Sequence, residues 1–81
     1  MNNVKDGLNH IDLRGTPCPV NFIRCSLALE SLSTNASLQI DLDRGEPEEM
    51  VIPGLRKAGH QVEIIYQDNN FVRLLVICGA S

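Results

Sequence analysis

The stretch His10-Ile11-Asp12-Leu13-Arg14-Gly15-Thr16-Pro17-Cys18-Pro19 changes character twice, and those changes set the fold. His10 to Leu13 alternates polar and apolar residues, the period of a short half-buried strand. Arg14-Gly15-Thr16-Pro17 is turn chemistry. Pro19 suits the first position of a helix, where its missing N–H would have no partner anyway, and this puts Cys18 at or beside the N-cap. A strand that turns directly into a helix is the opening of a layered α/β domain.

From Pro19 to about Ser33 there is no Gly and no further Pro, and Leu27, Ala28, Leu29 and Glu30 favour helix. Phe22, Cys25, Leu29 and Leu32, with Ala28 beside them, follow the spacing of a core-facing ridge. Val20, Ile23 and Leu27 form a second apolar stripe, about 150° away at 100° per residue. It is either packed under a loop or exposed beside the Cys18 end.

Ser37 to Leu42 predicts a second strand, with Leu38, Ile40 and Leu42 on one face and Gln39, Asp41 and Asp43 on the other. Arg44-Gly45-Glu46 turns, and Pro47 opens a second helical segment with Glu48 and Glu49 in its first turn, where carboxylates suit the dipole. Pro53-Gly54 predicts an interruption, leaving one early turn, a kink, and a short helix from Pro53 to Ala58 closed by Gly59. Gln61 to Gln67 and Phe71 to Cys78 read as strands joined by an Asp68-Asn69-Asn70 hairpin turn. The last strand is apolar on both sides apart from Arg73, so a central or covered place is expected. The order β-α-β-α-β-β predicts a two-layer α/β (α+β) sandwich, a four-stranded mixed sheet with both helices on one face. The opposite face would be partly open and carry Asp41, Asp43, Glu63 and Gln67. Residues 1–9 are expected to form a flexible tail and residues 10–81 a single domain.

The chain of 81 residues has 43% hydrophobic residues and only three aromatic ones, Phe22, Tyr66 and Phe71, so its core is aliphatic. The net charge of −3 argues against direct nucleic-acid binding, which needs clustered Lys and Arg. Met1 to Gly7 is too polar for a signal peptide, and the longest apolar run, Leu74 to Cys78, is far short of the roughly 20 residues that span a bilayer. Membrane insertion is therefore not expected. Cys18, Cys25 and Cys78 are an odd set without a CxxC pair, which excludes a complete disulfide framework and a four-cysteine zinc site. A reduced, cytoplasmic setting fits them, and a monomer is expected.

Cys18 is the residue whose position predicts reactivity. A thiol at a helix start faces unpaired N–H groups and the positive end of the dipole, which favour the thiolate. Pro17 and Pro19 fix the backbone on either side, and Arg14 is near enough in sequence to add positive potential. Cys25 lies about 10.5 Å further along the helix axis, beyond the Cα separation of about 7 Å that a disulfide allows, and its stripe makes it a core thiol. Cys78 reads as structural. Neither His10 nor His60 is placed as a general base. The acidic residues Asp41, Asp43, Glu46, Glu48 and Glu49 lack calcium-loop spacing, so no metal and no cofactor are expected. A reactive thiol without base, second thiol or cofactor suits reversible sulfur exchange: it attacks a donor's persulfide and holds the sulfur until an acceptor attacks in turn.

The segment Asp12-Leu13-Arg14-Gly15-Thr16-Pro17-Cys18-Pro19 resembles the D-x-R-G-x-x-C-P signature of the TusA, or SirA-like, family of small sulfur carriers. The similarity continues through Leu29-Glu30-Ser31-Leu32, Asp41-x-Asp43-x-Gly45-x-Pro47, Val51-Ile52-Pro53 and Gly59-His60-x-Val62, about residues 10 to 78. The resemblance implies the same two-layer sandwich, with Cys18 matching the persulfide-bearing cysteine and Pro19 the following proline. The family's C-P-x-P motif is here C-P-x-N, with Asn21 in place of the second proline. That turn borders the docking site, so Asn21 bears on the choice of donor and acceptor. Family members relay sulfur from a cysteine desulfurase or rhodanese-like donor toward tRNA thiouridine, molybdenum cofactor or sulfur oxidation. The implied partners are therefore a sulfur donor protein and a sulfur acceptor protein, and Val20, Asn21, Ile23 and Leu27 become the expected docking patch. The alternative is a non-catalytic interaction or regulatory module of the same fold, although such a module would not require the rigid Pro17-Cys18-Pro19 placement.

Overall fold

The computed structural model describes residues 8–79. Strand β1 (Leu8–Asp12) leads into helix α1 (Val20–Glu30), followed by β2 (Ser37–Asp43), α2 (Glu46–Lys57), β3 (Gln61–Gln67) and β4 (Phe71–Ile77). The four strands form one sheet in the order β1-β2-β4-β3. β1 and β2 run parallel, while β4 is antiparallel to both its neighbours. The strand apolar on both sides is therefore internal, as its sequence requires.

Leu38, Ile40 and Leu42 of β2 and Val72, Leu74 and Val76 of β4 point to one face of the sheet and are buried. Both helices cover that face. Cys25 and Leu29 of α1 and Val51, Ile52 and Leu55 of α2 close the same aliphatic cluster. Each such Leu or Ile contributes about 1.5–3 kcal/mol through burial, so the core holds without large aromatic rings. The result is a two-layer sandwich of a four-stranded mixed sheet under two helices.

Several boundaries differ from the sequence reading. β1 begins at Leu8, so residues 8 and 9 belong to the sheet and pair with Ser37 and Leu38. The rest of the expected tail, residues 1–7, lies outside the described residues. α1 begins at Val20, with Pro19 as its N-cap and Cys18 one residue earlier, and it ends at Glu30. The principal correction is α2, which runs unbroken from Glu46 to Lys57 through Pro53. A proline inside a helix removes one N–H and crowds the carbonyl four residues back. Here that carbonyl belongs to Glu49, and both Glu49 and Pro53 are exposed, so water can take the freed acceptor. Gly54 has a packing role. A Cβ placed on it would come within 2.8 Å of the Phe22 ring, so glycine lets α2 close on α1.

Candidate functional site

The turn after β1 is held by its own side chains. Asp12 accepts the backbone N–H of Arg14 at 3.1 Å and both arms of the Arg14 guanidinium at 2.9 Å. The Arg14 hydrogen bonds hold the Asp12 carboxyl well below the usual carboxylate range. Gly15 takes φ +80°, a left-handed conformation open to glycine, and its N–H donates to Asp43 Oδ2 at 2.7 Å. Asp43, at the end of β2, thus fixes the turn that carries Cys18 toward the helix layer.

The Arg14 side chain is engaged within the turn. Its guanidinium pairs with Asp12 and lies 5.0 Å from the centre of the Phe71 ring, and among the described residues it makes no hydrogen bond to Cys18. Pro17 and Pro19 do flank Cys18, and the Cys18–Pro19 peptide bond is cis. Three N–H groups of the first turn of α1 are taken by other acceptors. Asn21 N–H donates to the Pro17 carbonyl at 3.0 Å, Ile23 N–H to the Pro19 carbonyl at 3.0 Å, and Phe22 N–H to Asn21 Oδ1 at 2.6 Å.

The donor to the thiol is a side chain. Asn21 Nδ2 lies 3.3 Å from Cys18 Sγ. Asn21 is 0% exposed, so it presents no surface to a partner, in contrast to Val20, Ile23 and Leu27. Those three are 45%, 50% and 61% exposed, so the described residues leave the second stripe of α1 uncovered. Cys18 is half-buried and lines an apolar pocket of about 260 Å³ together with Pro19, Asn21, Phe22, Met50 and Gly54. Met50 and Gly54 come from α2, and the sequence reading missed them. Their only signal was the Pro53-Gly54 pair, which reads as a break until α1 is seen packed against it.

The other thiols are set apart. Cys25 is completely buried in the core, and loss of solvation pushes its thiol up to about 12. Cys78 is buried at the end of β4, where its S–H faces the Leu29 carbonyl at 3.6 Å. A larger pocket of about 340 Å³ lies there, between the end of α1 and the end of β4. Its lining includes Ser26, Thr34 and His60, and its one thiol, Cys78, is buried. His60 ties down this far end by accepting the Gly79 N–H on Nδ1 at 3.0 Å.

The acidic residues are engaged in structure. Asp41, expected on an open face, is 1% exposed because Arg73 and His10 cover it from β4 and β1. Arg73 Nε donates to Asp41 Oδ1 at 2.8 Å, and His10 Nε2 lies 3.2 Å from Oδ2. Glu48 accepts the Gly45 N–H and the Arg44 guanidinium at the start of α2. Among the described residues no group of His, Cys, Asp and Glu is arranged to hold a metal ion.

A small α/β sandwich that brings one accessible thiol to an apolar pocket and keeps its other thiols in the core defines a single-thiol class of domain. Comparison with known proteins narrows that class. The family model Sulfurtransferase TusA matches residues 9–77, and the chain belongs to that family. The family's general role is sulfur carriage or sulfur transfer in relays with partner proteins. The crystal structure of a SirA-like protein from Desulfitobacterium hafniense is similar in fold, with a TM-score of 0.74 at 23% sequence identity. The alignment covers 90% of this chain and 99% of that one. No curated protein matches the chain. Among the described residues, no helix is long and apolar enough to cross a membrane.

Proposed function

We propose that Cys18 carries a sulfane sulfur between a donor protein and an acceptor protein. The observation that carries this reading is the segregation of thiols: Cys18 opens on an apolar pocket, while Cys25 and Cys78 are buried. A persulfide is discharged by any thiol that can reach it, so a carrier needs its reactive sulfur isolated from its own cysteines.

In the loading step the Cys18 thiolate attacks the outer sulfur of a donor persulfide. A bond forms from Sγ to that sulfur as the donor's S–S bond breaks, and the donor cysteine leaves as a thiolate. Discharge runs the same way. An acceptor nucleophile attacks the outer sulfur, and Cys18 leaves as a thiolate. Both steps conserve electrons and need no oxidant. The exposed Val20, Ile23 and Leu27, with Met50 across the pocket at 58% exposure, supply apolar surface on which a donor or acceptor protein can dock. A cysteine desulfurase with cysteine, or a rhodanese with thiosulfate, are the donor classes of choice, and a reduced, cytoplasmic setting suits the chemistry.

The test is intact mass after incubation with each donor system. The expected result is one added sulfur, removed by reductant, absent in Cys18→Ser and retained in Cys25→Ser. The absence of any adduct would favour a non-catalytic interaction module, for which the same exposed patch would serve.

A further inference from the structure

We infer that Asn21 is a positioning residue that holds the Cys18 sulfur and stabilises its anionic form. The inference rests on Cys18 as the sulfur-bearing residue and adds a role for the side chain that replaces the second motif proline. Asn21 is the second residue of α1, and its side chain is wholly buried between the helix start and the thiol. Oδ1 accepts the Phe22 N–H at 2.6 Å, which fixes the orientation of the amide. Turning it over would set an NH2 group against that N–H, donor against donor. Nδ2 is thereby aimed at Sγ, 3.3 Å away.

The amide thus relays the polarity of the helix start to the sulfur. The N–H groups of Asn21, Phe22 and Ile23 point to Pro17, Asn21 itself and Pro19, while the Asn21 side chain brings a donor to Sγ. A proline at this position has no side-chain N–H to offer. Hydrogen bonds to an ionised partner are stronger than those to a neutral one, so the contact favours thiolate over thiol. It acts in both halves of the transfer. In loading it raises the fraction of nucleophilic Cys18, and in discharge it stabilises the same atom as leaving group. Thiol exchange is faster when the departing sulfur is the better-stabilised anion.

The test compares wild type with Asn21→Ala, Asn21→Pro and Asn21→Asp, each first shown by circular dichroism and thermal unfolding to be folded. The rate of Cys18 alkylation by iodoacetamide is followed against pH by peptide mass. The profile is expected to move to higher pH in all three variants, with the rate at neutral pH falling about tenfold. The limiting rate at high pH should be retained, because access to the sulfur is unchanged. A second arm measures discharge of sulfur-loaded protein to cyanide, with thiocyanate as product, and slower release is expected from the variants. If Asn21→Asp does not fold, Asn21→Ala and Asn21→Pro decide the matter. Superimposable alkylation profiles, or an equal loss of rate at every pH, would overturn the inference. The alkylation arm needs no sulfur donor, so it stands even if no persulfide forms on Cys18.

Discussion

At the scale of single residues, the three cysteines share a side-chain type and differ in everything that governs reactivity. Cys25 has no exposed surface, and burial moves its thiol to about 12, so at neutral pH it is neither accessible nor ionised. Cys78 is buried beneath the end of α1. Native alkylation at neutral pH is therefore expected to modify Cys18 and spare the other two, with all three reacting once denaturant is added. Peptide mass mapping under both conditions checks this, and rapid labelling of Cys25 in the native protein would contradict the burial argument. Asn21 shows what a sequence does not display at this scale. Its place after Cys18-Pro19 was plain, but an amide on the first turn of a helix can face solvent, a partner or the chain itself. Only the packed position of α1 turns it inward. Arg14 likewise shows a contact that sequence position does not display. Closeness in sequence suggested positive potential for the thiol, and the structure adds a bidentate contact of the guanidinium with Asp12.

At the scale of elements, α1 works with two faces. Cys25 and Leu29 enter the core, while Val20, Ile23 and Leu27 stay in water beside the pocket. The 3.6-residue period made both stripes legible, but it could not say what covers the second. Replacing Ile23 or Leu27 by Asp should change stability by no more than about 0.5 kcal/mol, since each is exposed. The same substitutions should raise the donor concentration needed for half-maximal loading while leaving Cys18 alkylation unchanged. Kinetics of sulfur loading, run beside the alkylation assay, separate these effects.

α2 carries the largest departure from the sequence reading. Pro53-Gly54 is a strong break signal in an isolated chain, and tertiary packing overrides it. The proline's orphaned acceptor is on the exposed side, and the glycine fills the close approach to Phe22. Gly54→Ala would gain about 1 kcal/mol of helix propensity, yet its methyl would press on the Phe22 ring. Overpacking of about 1–3 kcal/mol is expected to win, giving a net fall in melting temperature of a few degrees. A rise in melting temperature would show that the ring moves aside freely.

At the scale of the whole molecule, the layer order was readable because α1 and β2 have clear periods and the boundaries between elements carry turn chemistry. The state of the second sheet face was not. Alternation places Asp41 there but cannot show that Arg73 and His10 close over it across three strands. The Arg73 hydrogen bond is the main reason that Asp41 titrates below the ordinary carboxylate value of 3.8. A carboxyl depressed in the folded state contributes stability above its unfolded value, and that contribution is lost as pH falls through the folded value. Arg73→Ala should therefore destabilise the domain at neutral pH, because it leaves the buried Asp41 carboxylate without its main partner. The deficit relative to wild type should begin to shrink as pH falls below 3.8, where Asp41 of the unfolded chain takes up its proton, and should disappear only below the depressed value of the folded state. Urea unfolding at neutral pH and at about pH 3 checks the sign. A deficit that persists undiminished in acid would mean that Arg73 acts through packing alone.

The sandwich holds one thiol apart from two others and opens it on apolar surface. The most direct measurement of that design is to load the protein from a desulfurase and cysteine, or from a rhodanese and thiosulfate. The folded protein is then digested without reductant, and the added sulfur is located by peptide mass. The account predicts the sulfur on the peptide containing Cys18 and none on those containing Cys25 or Cys78. Sulfur on either buried cysteine, or on no peptide with any donor, would contradict it.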